Sequence, residues 1–334
     1  MFLSVLSSNV LANFEPCWDN YPIHFAVDKG NVKEVQRLIK EGFDIKKQDV
    51  VGNTPLHEAV MFDRVDIAEL LITNETINQT NKHGESPLYK ATLKGRIDMI
   101  ELLINKGAFL NQVNFREGDT PFHIAAQYGS KDVVQLFIDN GADANQTDYD
   151  GNTALHKAAK GSHKTQESTL DIINCLIQNG AKVNQPNFCG ERPLHWAAWS
   201  FFGQWPLQDS FYGQAMSIQL LIDNGAVVNE ITNSGDTPLH YASLNRYPVG
   251  MECLIKNGAI VDQPNNNCET PLHLSCRGYG PLSIKIADSL TLLISNGADV
   301  DKTNCQGETP LQIAQRLYRW DAIRFLEDYL SKQR

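Results

Sequence analysis

Thr120-Pro-Phe-His-Ile-Ala-Ala126, then Val133-Val-Gln-Leu-Phe-Ile138, then Asn140-Gly-Ala142, then Asp148-Tyr-Asp-Gly151 is the stretch on which the fold of this chain turns. Thr is a good N-cap, and Pro fits the first helical turn, where its missing N–H costs nothing. The small Ala pair lets a neighbouring helix approach closely. The apolar spacing from Val133 to Ile138 predicts a second helix, and Gly141 stands where a helix needs a left-handed C-terminal residue. Asp148 to Gly151 is a polar turn whose Gly permits positive φ. Such a helix–turn–helix piece cannot bury its apolar face alone, so it must stack on copies of itself.

Copies are present on both sides. The opening phrase recurs as Tyr21-Pro-Ile-His24, Thr54-Pro-Leu-His57, Ser86-Pro-Leu-Tyr89, Thr153-Ala-Leu-His156, Arg192-Pro-Leu-His195, Thr237-Pro-Leu-His240, Thr270-Pro-Leu-His273 and Thr309-Pro-Leu-Gln312. The nine copies are separated by 33, 32, 34, 33, 39, 45, 33 and 39 residues. From the phrase His to the closing Gly-Ala takes 18 residues in repeats four and seven (His123 to Gly141, His240 to Gly258), but 24, 30 and 24 in repeats five, six and eight. Repeats five, six and eight therefore carry insertions of six, twelve and six residues between their two helices.

This pattern resembles the ankyrin-repeat family over residues 20 to 334. The resemblance implies an all-α solenoid of stacked helix–turn–helix units with β-hairpin fingers, whose concave side recognises proteins. Residues 1–20 are expected to form an N-terminal capping segment, with Phe2, Leu3, Val5 and Leu6 covering the first repeat. Repeats one to eight then occupy 21–303, and 304–334 is a C-terminal capping repeat, more polar through Arg316, Arg319, Asp321, Arg324, Glu327 and Asp328. The opening residues lack the positive n-region of a secretory signal, and Ser7, Ser8 and Asn9 interrupt their apolar run.

The net charge of −10 sets aside a nucleic-acid surface, which needs a concentrated basic face, and a surface for anionic lipid. No run of about 18 apolar residues exists to enter a membrane. The seven cysteines (Cys17, Cys175, Cys189, Cys253, Cys268, Cys276, Cys305) are scattered and never form Cys-x-x-Cys, which suits free thiols in a cytoplasmic protein. Cys268 takes the place held in other fingers by Gly52, Gly84, Gly118, Gly151, Gly190, Gly235 and Gly307. Seven of the nine histidines sit in the repeat phrase, on successive repeats, where they cannot converge on one metal. The resemblance gives them hydrogen bonds within and between repeats. Neither a metal nor a cofactor is expected. Asn111, Asn145, Asn184 and Asn229 at finger bases resemble a position open to hydroxylation in the family, but read more simply as turn residues.

Two regions are candidates for binding. In repeat six, Trp196-Ala-Ala-Trp199-Ser-Phe-Phe-Gly-Gln-Trp205-Pro-Leu-Gln-Asp-Ser-Phe211-Tyr212 holds three of the five tryptophans. Trp199, Phe201, Phe202, Trp205 and Tyr212 are read as an aromatic hot spot, with Trp196, Phe202 and Phe211 also able to plug the longer helix end. Carried over from the family, the concave strip adds Met61, Phe62, Leu93, Tyr128, Leu244 and Arg277, and the finger tips Tyr149 and Phe188. The expected function is a protein-binding module (adaptor, scaffold or inhibitory subunit), monomeric when free and with no catalytic residues. Two alternatives stand beside it. One is a bacterial effector delivered into a host cell, on the richness in Asn, Ile and Lys. The other is an enzyme with a pocket improvised from His163, Glu167 and Asp209.

Overall fold

The computed structural model describes residues 22–161, 166–199, 208–278 and 286–333. The expected capping segment over 1–20 lies outside them, as does most of each insertion. Eighteen helices occupy the described residues, two per repeat. The first helices are α1 (Pro22–Asp28), α3 (Pro55–Met61), α5 (Pro87–Lys94), α7 (Pro121–Tyr128), α9 (Ala154–Lys160), α11 (Pro193–Ala198), α13 (Pro238–Leu244), α15 (Pro271–Arg277) and α17 (Pro310–Arg316). The second helices are α2 (Val32–Lys40), α4 (Val65–Leu71), α6 (Ile97–Asn105), α8 (Lys131–Asp139), α10 (Gln166–Gln178), α12 (Gln208–Asp223), α14 (Pro248–Lys256), α16 (Ile286–Ser295) and α18 (Trp320–Gln333). The chain divides inside α7 into two compact bodies, one ending at Ile124 and one beginning at Ala125.

In the first body α1 packs on α3 and α3 on α5, while α2 packs on α4 and α4 on α6. In the second, α9, α11, α13, α15 and α17 form one row and α8, α10, α12, α14, α16 and α18 the other. Leu38, Leu56, Leu71, Leu88 and Ile100 are sealed in the first body, and Phe137, Leu155, Ile218, Tyr247 and Leu290 in the second. Each buried side chain of this size contributes about 1.5–3 kcal/mol.

The repeat phrase is a hydrogen-bonding device. In repeat two the N–H and hydroxyl of Thr54 meet His57 Nδ1 at 3.1 and 2.8 Å, and His57 Nε2 bonds to the Glu85 carbonyl of the next finger at 3.0 Å. The same outward bond joins His156 to Glu191, His195 to Asp236, His240 to Glu269 and His273 to Glu308. Both ring nitrogens are thus engaged, which is the structural role expected of the row. Where His is missing, another group takes part of the role. Tyr89 accepts from Asn114 at 2.9 Å, and Gln312 accepts from the Thr309 N–H at 2.8 Å.

The fingers are turns more than hairpins, with a single isolated bridge, Thr147–Thr153, among the described residues. Within each body, successive fingers are joined by a backbone bond, such as Phe115 N–H to His83 O (2.9 Å) or Phe188 N–H to Asp150 O (2.9 Å). That approach requires glycine on the receiving finger. A Cβ on Gly84 would lie 2.5 Å from Phe115, and one on Gly151 2.8 Å from Phe188. Asn145, Asn184 and Asn229 do more than turn the chain. Each carboxamide donates to a Gly carbonyl of the following repeat and accepts from an N–H two residues further on.

Cys268 keeps the positive φ of the glycines it replaces, at 59°, so its finger is built like the others. It is bonded to Cys305 across a Cα–Cα distance of 5.1 Å. The expectation that all cysteines are free thiols is corrected here. Spacing along the sequence hides a pair that the repeat brings together.

The insertions partly lengthen second helices. Helices α10 and α12 run to 13 and 16 residues against 9 in α8 and α14. In repeat eight the chain leaves α15 through Gly278 at φ −43° and ψ 153°, not through a left-handed turn. Its end carbonyls are capped instead from both sides: Arg246 Nε donates to Ser275 O and Arg319 Nη2 to Arg277 O, each at 3.3 Å.

Candidate functional site

In the second body, one variable position of the first helix supplies side chains that meet the finger carboxylates. It is the residue after the phrase His: Lys157 in repeat five, Trp196 in six, Tyr241 in seven. Lys157 is held by Asp148 at 2.8 Å. Trp196 and Tyr241 converge on a single carboxylate at the end of the repeat-six finger, Glu191. The Trp196 indole N–H donates to it at 2.9 Å, the Tyr241 hydroxyl at 2.5 Å and the Asn187 amide at 2.8 Å. Burial alone would raise the Glu191 pKa, but these three donors outweigh it and hold the carboxyl below its ordinary range. Burial and the facing Glu191 carboxylate push the Tyr241 phenol up.

Rings pack around this anchor. Trp199 meets Tyr241 edge to face at 5.3 Å, Tyr241 meets His195 at 5.4 Å, and Trp196 meets His156 at 5.7 Å. The Lys160 ammonium lies over the Trp196 ring at 5.2 Å. Trp196, Trp199, Tyr241 and Lys160 all remain half-exposed. The finger tips Tyr149 and Phe188, on the fingers that precede α9 and α11, are 55% and 71% exposed. Rigid rings fixed at one end and open at the other are the kind of surface that supplies binding energy without a large ordering cost.

The sequence-predicted residues distribute as follows. Trp199 is in the cluster, and Tyr149 and Phe188 are exposed finger tips of the preceding two fingers. Leu244 and Arg277 are half-exposed, with the Arg277 guanidinium paired to Glu269. Tyr128 is exposed. In the first body Phe62 and Leu93 are exposed and Met61 half-exposed. Phe201, Phe202 and Trp205 lie outside the described residues, and Tyr212 belongs to α12 by its backbone, its side chain lying outside them too. The Trp196 indole donates to Glu191. Arg192 is engaged with Glu230 at 2.9 Å and the Ile231 carbonyl at 3.2 Å. Sequence reasoning missed Glu191 and Tyr241. The signal available was an aromatic residue after the phrase His in two successive repeats.

As to chemistry, His163 and the side chains of Glu167 and Asp209 lie outside the described residues. Among the described residues no three His, Cys, Asp or Glu side chains are grouped to hold a metal ion. No described helix is long and apolar enough to cross a membrane.

A family model described as ankyrin repeats (3 copies) matches residues 6–81, 23–114, 65–148, 123–205 and 208–290. The chain belongs to the ankyrin-repeat family. Among the similar ankyrin-repeat proteins, ankyrin repeat domain-containing protein 13C of Homo sapiens is 40% identical over 65 residues, covering 20% of this chain and 12% of that protein. Its Danio rerio counterpart is 43% identical over 54 residues, 16% of this chain and 11% of that protein. The 2-5A-dependent ribonuclease of Mus musculus is 48% identical over 50 residues, 15% of this chain and 7% of the enzyme. The chain thus spans about a tenth of the curated relatives it matches. Ankyrin repeats generally mediate protein–protein interaction.

Proposed function

We propose that this ankyrin-repeat protein is a non-catalytic binding module. It engages one protein partner through the finger tips and first helices of repeats five to seven. The observation that supports this reading most is the cluster of Trp196, Trp199 and Tyr241 organised on Glu191. A scaffold face that only needed water could be polar there. The net charge of −10 favours a partner whose contacting segment is apolar with basic flanks. Repeat six, whose insertion is the longest, supplies further aromatic residues next to the same cluster in sequence.

The test is selection of binders to the immobilised chain from a peptide or protein display library, followed by titration of the strongest. Trp199→Ala is expected to weaken that binder by roughly 30-fold or more, as removal of a hot-spot ring does, and Glu252→Ala on the exposed face of α14 to leave it unchanged. Equal losses in both variants, or a binder indifferent to Trp199, would defeat the proposal.

A further inference from the structure

We propose that Cys268 and Cys305 are a reversible thiol–disulfide site that controls how readily the C-terminal repeat opens. The inference does not depend on the binding reading. It starts from two departures that coincide. In five other fingers, glycine at this position gives room to the tip residue of the next finger: Lys82 over Gly52, Phe115 over Gly84, Phe188 over Gly151, Asn233 over Gly190 and Asn266 over Gly235. A Cβ at any of these glycines would stand 2.5 to 2.8 Å from that neighbour. A side chain at this position is therefore excluded unless the opposing residue changes with it.

In repeats eight and nine both change. Cys268 accepts the left-handed conformation in place of Gly, and the tip residue that hangs over it is Cys305, whose N–H bonds to Asn267 O at 3.0 Å. The receiving backbone keeps the common geometry, so the finger architecture itself presents one sulfur to the other at a Cα–Cα distance normal for a bridge. The remaining described cysteines are separate from this pair: Cys175 and Cys276 are buried, Cys253 is half-buried and Cys189 is exposed in another finger.

Position decides what the bond does. Repeat nine packs on repeat eight through α15 against α17 and α16 against α18, so this junction contributes directly to its stability. A covalent link across that junction restricts the opened state more than the closed one. Cys305 is exposed at the tip, which leaves the sulfur open to exchange. With a low-molecular-weight disulfide such as oxidised glutathione, the Cys305 thiolate attacks one sulfur and releases one glutathione thiolate. The Cys268 thiolate then attacks the Cys305 sulfur of the mixed disulfide and releases the second. Two cysteine thiols are oxidised, one glutathione disulfide is reduced, and the two protons end on the released glutathiones. Excess reduced glutathione runs the sequence backwards.

The experiment equilibrates the full chain in glutathione buffers from fully reduced to fully oxidised. Peptide masses are read after alkylation, and amide hydrogen exchange is followed in α18. The expected result is one bridge, Cys268–Cys305, that forms and reverts without unfolding, with exchange in α18 slowed about tenfold in the oxidised chain. Cys268→Gly restores the residue carried by seven other fingers, so it is expected to fold and to exchange like reduced wild type in every buffer. The proposal is overturned if the bridge fails to form or to revert in the native chain. It is equally overturned if α18 exchanges alike in both states, or if Cys268→Gly shows the same oxidative slowing.

Discussion

Glu191 shows how one side chain can organise a face that composition alone only hints at. Its carboxylate takes bonds from Trp196, Tyr241 and Asn187, so it fixes two rings from successive repeats and the finger they flank. Removing one donor should therefore be felt by both the fold and the acid. Tyr241→Phe is expected to lower stability by about 1.5–3 kcal/mol, the usual cost of losing a hydrogen bond to a charged group, and to raise the Glu191 pKa. Denaturant melts and carboxyl NMR titration would measure the two effects, and an unmoved Glu191 would contradict the network. At this scale the role of the histidines was legible through the family resemblance, which implies hydrogen bonds within and between repeats at this repeated position. Glu191 was not legible, because Glu85, Glu269 and Glu308 occupy the same place and bind Lys90, Arg277 and Arg316 instead. Only the three-dimensional choice of partner distinguishes them. The Cys268–Cys305 pair was missed for a similar reason: 37 residues apart in sequence, the two are brought into contact by one repeat of stacking.

Among the elements, the helix ends are where this sequence departs from its own rule and where the structure supplies the substitute. Most second helices close on a left-handed glycine, such as Gly141 at φ 88° or Gly258 at φ 88°. Helix α4 has none. Instead Thr76, fully buried, donates its hydroxyl to Leu71 O at 2.7 Å and accepts from the Thr73 N–H at 2.9 Å. Thr76→Val keeps the shape and removes both bonds, leaving a buried carbonyl and an N–H unpaired. A loss of about 1–3 kcal/mol is expected, with Thr80→Val, at the next threonine, near neutral. Comparing the two midpoints in urea decides the matter, since equal values would make the hydroxyl dispensable. The helices themselves were readable from the phrase and the 3.6-residue spacing. The reach of the insertions was not. Periodicity counts extra residues but cannot apportion them between a longer helix and a loop, and in repeats five and six some of them extend α10 and α12.

Across the molecule, the His row makes stability a function of pH in a definite direction. Burial drives the pKa of His57, His156 and His195 down to about 4, and lowers those of His240 and His273, because each neutral ring is sealed between repeats with both nitrogens bonded. His24 runs the other way. Burial lowers its pKa, but Glu58 at 3.0 Å outweighs that and raises it. An unfolded His titrates near 6.5, so between 6.5 and 4 the unfolded chain binds protons that the folded rings refuse. The stabilisation from the row is complete above pH 6.5 and is lost as pH falls through that window, up to roughly 3 kcal/mol for each ring shifted to about 4. Glu191, Asp148 and Glu85, held low by their donors, add a loss of the same sign at still lower pH. Unfolding at pH 5 should accordingly take up between two and three protons from His57, His156 and His195 alone. Repeat nine shows how to isolate one of them, since Gln312 already replaces His and still accepts the Thr309 N–H. His156→Gln should fold, and its unfolding free energy should fall less steeply from pH 6.5 to 4, by close to one proton. The proton count comes from the pH dependence of the urea-derived free energy. A slope identical to wild type would mean that the ring is protonated inside the stack, which its carbonyl and N–H partners forbid.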